Sequence, residues 1–346
     1  MRLILVGFGT VGQAFIRVLA ENEEELRSSH HLPVHVVAIA DSRGIAVSSK
    51  GLNLDLALEA KSETGSIGGY PGCGSFSPSG RIPELISSTD ADVLVEVTPT
   101  NVVDAQPGLE HILTALRSGK HVVTANKGAL VVAFEELKEE AGKRNLLVKF
   151  SGAVGGAVPT IDFVRSCLNG NRVLGIDGVL NGTTNYILTR MCGEGCSFGE
   201  ALAEAQKMGI AEANPAYDVD GVDTACKLLI LANSVMDRRA RLCDVKVTGI
   251  RGVTRQMVET AAKAGRCIRL IGSVSDTISV EPREIPKEHS LCVDGVLNAV
   301  TYHTMLAGDM TLIGRGAGGR ETASALLRDV IHISTIAGAG IRRGLS

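Results

Sequence analysis

The stretch Leu3-Ile4-Leu5-Val6-Gly7-Phe8-Gly9-Thr10-Val11-Gly12 decides how this chain is read. A short apolar run of strand type enters three glycines spaced Gly-x-Gly-x-x-Gly, and a helix to about Arg27 is expected to follow. Strand, glycine turn and helix in that order form the context that a dinucleotide fingerprint requires. The first glycine permits the turn, the second lets a pyrophosphate approach the backbone, and the third lets helix and strand pack closely. Gly7, Phe8, Gly9, Thr10, Val11 and Gly12 are therefore expected to hold a cofactor. Further β-branched runs at Val34–Ala40, Val93–Val97 and Val122–Thr124 alternate with helical segments. Residues 1–150 are thus expected to form an α/β domain on a doubly wound parallel sheet.

In such sheets ligands gather at the carboxyl ends of the strands, which nominates the residues found there. Asp41 ends the second run, somewhat farther from Gly12 than the usual ~20 residues, and its carboxylate suits the ribose hydroxyls of NAD. Arg43 follows almost directly, and a guanidinium suits the 2′-phosphate of NADP, so either cofactor is compatible. Thr98, in Thr98-Pro99-Thr100, is expected on the nicotinamide side, and Lys127 ends a further strand on the same edge.

Composition narrows the class. The 346 residues suggest about two domains at the usual ~150 residues each. Hydrophobic residues make up 45% and charged residues 21%, with 35 basic against 38 acidic side chains. That balance argues against disorder and against a broad basic surface for nucleic acid. No run approaches the ~18 apolar residues of a membrane span, and Met1-Arg2 leads into the first strand rather than a cleavage site. A soluble, cytoplasmic chain is expected. Eight cysteines include one close pair, Cys192 and Cys196, with no histidine nearby; most are expected as small buried apolar side chains, and zinc is not expected.

A second domain is expected over 151–309. Pro159 is placed to start a helix to Leu168, and Val173–Leu180 reads as a strand. Helices follow at Thr183–Met191, at Phe198–Met208 closed by Gly209, and at Val222–Met236. Val245–Thr248, Cys267–Val274 and Thr277–Arg283 read as strands of an α+β domain. Gly51–Pro83 reads as a glycine-rich insert around one helix, Leu52–Lys61. The glycine loop Arg315–Arg320 leads to a last helix near Thr322–Ile336, so residues 310–346 are expected to complete the first domain. Only a glycine-rich end follows, and no appended regulatory domain is expected.

The densest polar information runs from Gly209 to Lys227. Asp223 and Lys227 stand four apart on a helix and share a face, among Ala225, Cys226, Leu228 and Leu229. Pattern alone allows an ordinary helix ion pair or a desolvated lysine that exchanges a proton with a substrate. The run resembles the homoserine dehydrogenase signature at Ala205, Gly209, Asn214-Pro215, Asp218, Gly221, Asp223 and Lys227. Leu180 through Leu188, Ala125-Asn126-Lys127 and Gly314 through Gly318 are similar to that family in the same order.

The resemblance implies a Rossmann-type doubly wound parallel sheet, an α+β catalytic and dimerisation domain, and a C-terminal helix returning to the nucleotide domain. It implies interconversion of L-homoserine and L-aspartate 4-semialdehyde with NAD or NADP, by a homodimer formed through the second domain's sheet. Carried over residue by residue, Lys227 relays the proton and Glu212 holds the substrate ammonium. Asp223 orients substrate and lysine, Asp218 supports the site, and Gly182 and Thr183 contact the amino-acid end of the substrate. Lys127 is the competing acid or base, and Gly209 and Gly316 join the cofactor contacts. The family also binds a sodium ion beside a glutamate where this chain has Ser151, leaving the carbonyls of Val154, Gly156 and Val158 for a cation. A related dehydrogenase of another small amino-acid alcohol or aldehyde is the alternative. A non-catalytic nucleotide sensor has no need for the intact Glu212, Asp218, Asp223 and Lys227.

Overall fold

The structure is a computed structural model that describes residues 1–72 and 81–342, with side chains as far as residue 336 in the last helix. Cys73 and Gly74, which fall in the expected insert, lie outside the described residues. Contacts divide the chain into one unit of Met1–Ala153 with Gly318–Ser346 and another of Val154–Ala317.

In the first unit β1 (Arg2–Val6) leads to α1 (Thr10–Glu21), α2 (Glu23–Ser28), β2 (His35–Ala40), β3 (Ile45–Val47), α3 (Leu54–Thr64) and α4 (Ile82–Ser88). Then come β4 (Val93–Glu96), α5 (Gly108–Arg117), β5 (His121–Thr124), α6 (Lys127–Val132), α7 (Phe134–Lys143) and β6 (Val148–Lys149). The sheet order is β3-β2-β1-β4-β5-β6, parallel except for β3, which runs antiparallel to β2. This is the doubly wound order, and β1 lies at its centre with Leu3, Ile4, Leu5 and Val6 inaccessible to solvent. The expected single helix to Arg27 is broken at Asn22, whose side chain takes the Val18 carbonyl at 2.7 Å. Glu23, Glu24 and Glu25 then favour a fresh helix start, because carboxylates suit a helix N-terminus.

The second unit begins with α8 (Thr160–Cys167), β7 (Val173–Val179), α9 (Gly182–Glu194), α10 (Phe198–Lys207), α11 (Ala216–Val219) and α12 (Val222–Met236). It continues with β8 (Val245–Val247), α13 (Arg255–Lys263), β9 (Arg266–Val274), β10 (Ile278–Pro286), β11 (Leu297–Thr304) and β12 (Gly308–Arg315). Its sheet is ordered β12-β11-β7-β9-β10-β8. The hairpin of β11 and β12 is absent from the sequence reading, and it moves a boundary. Residues 310–317 belong to the second unit, because β12 pairs with β11 along its whole length.

The chain ends in α14 (Gly319–Arg342), which packs in the first unit against α1. Ala323, Leu326, Val330 and Ile333 are lost from water in the core that contains Leu3, Leu5 and Phe15. Three large aliphatic side chains so buried contribute roughly 5–9 kcal/mol, an upper estimate. Among the described residues no helix is long and apolar enough to cross a membrane.

Candidate active site

The glycine turn divides its labour as the spacing requires. Gly7 has φ +103°, and a Cβ there would lie 2.5 Å from the Val97 carbonyl oxygen. A Cβ on Gly12 would meet the Gly7 carbonyl oxygen at 2.1 Å, so this glycine lets α1 sit against the turn. A Cβ on Gly9 would meet nothing within 4 Å. The second glycine thus faces open space at a helix N-terminus, where a pyrophosphate fits. The residues present fit a bound dinucleotide.

Asp41 departs from its expected role. It ends β2 as foreseen, but it is buried, and its acceptors serve the protein. Oδ1 accepts from the Arg43 N–H and the Ser66 hydroxyl, both at 2.9 Å. Oδ2 accepts from Lys61 Nζ at 2.6 Å and the Ile67 N–H at 2.9 Å. Four donors fill the roughly four lone-pair positions of a carboxylate, leaving none for a ribose diol. Burial works to raise this carboxyl; Lys61 and the other donors outweigh it and hold the group below its ordinary value. The Arg43 guanidinium donates to the Gly65 carbonyl. Lys61, unassigned in the sequence reading, stands 5.9 Å from the Phe8 ring centroid, beside the glycine turn.

At the ends of β4 and β5, a network joins Thr98 to Asn126, the residue before Lys127. Thr98 donates through its N–H (3.1 Å) and its hydroxyl to Glu96 Oε1. Asn126 Nδ2 donates to Thr98 Oγ1 at 3.2 Å, while Asn126 Oδ1 caps α6 by accepting from the Gly128 N–H. Lys127 is the first residue of that helix.

In the second unit, Gly221 at φ +85° turns the chain into α12, whose first two turns carry Asp223 and Lys227. Both are buried, with Lys227 Nζ 2.7 Å from Asp223 Oδ2 and 2.8 Å from the Leu180 carbonyl. Asn181 Nδ2 donates to Asp218 Oδ1 at 2.7 Å and to Asp223 Oδ2 at 2.9 Å. Burial, then the Asp223 charge, push the Asp218 carboxyl up from its ordinary value. Thr183 donates its one hydroxyl hydrogen to the Ile210 carbonyl at 3.0 Å. One amide therefore ties two carboxylates together, and one of these holds a lysine.

Comparison with known proteins then decides the family. The homoserine dehydrogenase family matches residues 159–331, and the NAD-binding domain of homoserine dehydrogenase matches residues 7–150. A homoserine dehydrogenase of Methanocaldococcus jannaschii is 45% identical over 334 residues, 96% of this chain and 98% of that one. The chain belongs to the homoserine dehydrogenase family. Homoserine dehydrogenase activity in threonine and methionine biosynthesis, NAD(P)-dependent, follows from that membership. A solved putative homoserine dehydrogenase from Archaeoglobus fulgidus shares 39% identity at TM-score 0.88, covering 96% of this chain and 99% of the other. A hyperthermophilic archaeal homoserine dehydrogenase in complex with NADPH shares 30% identity at TM-score 0.84, covering 96% and 97%.

Within this family frame the remaining expected residues separate. Glu212 is exposed in the link between α10 and α11, where its carbonyl accepts from Gln206. Gly182 opens α9, and a Cβ there would lie 3.0 Å from the Val296 carbonyl oxygen. Gly209 closes α10 with open space before it, whereas Gly316, expected to touch cofactor, packs against Asn298: a Cβ would fall 1.8 Å from its Nδ2. Of the carbonyls expected to hold a cation, two each accept one hydrogen bond, which leaves each a second lone pair. Val154 O accepts from the Thr160 hydroxyl and Val158 O from the Thr160 N–H. Ser151 gives both its N–H (2.9 Å) and its hydroxyl (2.7 Å) to Asp329 on α14. No cluster of three or more His, Cys, Asp or Glu suited to a metal occurs among the described residues. Asn181, Lys61 and Glu96 are the functional candidates the sequence reading left without a role.

Proposed function

We infer that the Asn181, Asp218, Asp223 and Lys227 cluster performs the proton step of L-homoserine and L-aspartate 4-semialdehyde interconversion. The observation that carries this is Lys227, buried yet held by a carboxylate and a carbonyl. An ammonium has three N–H donors, and the two acceptors leave the third for a substrate oxygen. In the reductive direction Lys227 donates its proton to the oxygen of the aldehyde as that oxygen becomes a hydroxyl. In the oxidative direction neutral Lys227 takes the hydroxyl proton back. Asp223 keeps the amine aimed through the shared Oδ2, and Asn181 keeps Asp223 in place. Glu212 is assigned to the substrate ammonium, which its exposed carboxylate suits. The bound nicotinamide supplies the hydride acceptor or donor.

NADP(H) is the proposed cofactor. The support is the engagement of Asp41 by four donors, which withdraws it from a ribose diol, with the Arg43 and Lys61 cations beside it for a 2′-phosphate. The proposed assembly is a cytoplasmic homodimer through the second unit's sheet, supported by exposed Ile313 on β12 and Val247 on β8. The test follows absorbance at the reduced-nicotinamide band with L-homoserine and NADP+ or NAD+ in separate cuvettes. A homoserine-dependent signal, faster with NADP+, is expected. No signal with either cofactor, both being shown to bind, would overturn the substrate; a faster NAD+ rate would overturn the cofactor.

A further inference from the structure

Two cysteines distant in sequence meet where β9 faces the loop that leads from β10 into β11. Cys267, on β9, is buried, and Cys292, in the loop, is half-buried. Their sulfurs stand 2.7 Å apart, and both are free thiols. A disulfide asks for about 2.05 Å between its sulfurs, so a small rotation of either side chain closes the pair.

The backbone on both sides builds this approach. Side chains alternate along a strand, so Cys267 and Arg269 share one face of β9. From that face the buried Arg269 donates through Nε to the Val293 carbonyl at 3.0 Å and through Nη2 to Asp294 Oδ1 at 2.7 Å. Asn185 on α9 donates to the same Val293 carbonyl at 3.0 Å, and the Cys292 N–H donates to the His289 carbonyl at 2.8 Å. Leu291 and Val293, on either side of Cys292, are buried in the core that contains Cys267. The loop is thus pinned around Cys292 with its sulfur turned to Cys267.

The two thiols are unequal. Burial, then the hydrogen bond with Cys292, hold the Cys267 thiol above its ordinary value, so it keeps its proton. Cys292 is the one that an incoming molecule reaches, with Arg269 Nη2 3.9 Å from its sulfur.

We propose that Cys267 and Cys292 form a thiol–disulfide exchange site, which a low-molecular-weight disulfide oxidises reversibly to an intrachain bridge. In the first step the Cys292 thiolate attacks one sulfur of R–S–S–R, whose S–S bond breaks; the thiolate R–S⁻ leaves and takes up the proton that Cys292 gave. In the second, Cys267 gives up its proton and attacks the Cys292 sulfur of the mixed disulfide, and the second R–S⁻ leaves and takes that proton. Two protein thiols lose two electrons, the reagent's S–S bond gains them, and two R–SH are released. The bridge ties the loop to β9, and a dithiol reductant reverses it.

The experiment incubates the folded, full-length chain with oxidised glutathione, then unfolds it, blocks the remaining thiols with N-ethylmaleimide and maps the linked peptides by mass spectrometry. A linked pair of peptides carrying Cys267 and Cys292, about 2 Da lighter than the two thiol peptides together, is expected, and dithiothreitol should abolish it. In Cys267→Ser the exchange should stop after its first step, leaving glutathione on Cys292. In Cys292→Ser the Cys267 peptide should carry N-ethylmaleimide alone. Wild type in which both cysteines are fully alkylated after oxidation overturns the proposal. So does a bridge from either one to Cys192, which packs against the same core. Glutathione found on Cys267 in Cys292→Ser, with none on Cys292 in Cys267→Ser, would overturn the order of attack.

Discussion

Gly9 and Gly12 should fail in different ways when each is replaced by alanine. A Cβ on Gly12 would sit 2.1 Å from the Gly7 carbonyl oxygen, a separation that real Cβ atoms essentially never show, and the obstacle is backbone. Either α1 or the turn has to move by about an ångström, and overpacking of this kind costs about 1–3 kcal/mol. For a folded unit of this size that lowers Tm by about 3–10 °C. Gly9 has φ −83° with nothing within 4 Å of its Cβ position, so alanine fits the apo protein. As the N-cap of α1 it loses about 0.5–1 kcal/mol by that change, since glycine outranks alanine at this position. Its new methyl instead occupies the approach of the pyrophosphate, weakening cofactor by about tenfold or more. Calorimetry without ligand, followed by NADPH fluorescence titration, separates the two effects. Gly12→Ala with an unchanged Tm, or Gly9→Ala with wild-type cofactor affinity, would refute the division of labour.

Three further outcomes follow from the buried polar groups. Lys61→Ala breaks its 2.6 Å bond to Asp41 and should cost about 2–4 kcal/mol while lowering NADP+ affinity. Because the Asp41 carboxyl is depressed in the fold, its contribution is present above its unfolded value near 3.9 and lost as pH falls through the folded value; acid titrations should show a smaller loss below about pH 4 in Lys61→Ala. Asp218, by contrast, is raised by burial and by Asp223, so it opposes folding once pH passes its unfolded value. Asp218→Asn should therefore leave thermal stability at pH 7 unchanged or higher while turnover falls, and a clear drop in Tm would contradict the raised carboxyl. Ser151→Ala removes a hydroxyl donor from the wholly buried Asp329 and should lower the first unit's stability by about 1–3 kcal/mol, read by denaturant titration.

What could be read from sequence was what lies close together along the chain. The glycine turn spans six residues, and Asp223 and Lys227 stand one helical turn apart, so local spacing sufficed for both. Asn181 lies in the run Leu180 through Leu188, yet its bonds reach Asp218 and Asp223 across 37 and 42 residues, distances over which spacing carries no geometry. Asp41 misled for the same reason. Its position at the end of β2 was legible, but its partners Lys61, Ser66 and Ile67 come 20 to 26 residues later from the insert. The β11–β12 hairpin was hidden by its turn, where exposed Met305 and Leu306 break the alternation expected of strands separated by a polar loop.

The most direct test of the proton relay is turnover of Lys227→Ala, measured together with its affinity for NADP+. Removal of a general acid–base group costs about 100- to 10,000-fold in rate, so turnover should fall by that factor with NADP+ affinity unchanged. Turnover near the wild-type rate would contradict the assignment and pass the proton to Lys127.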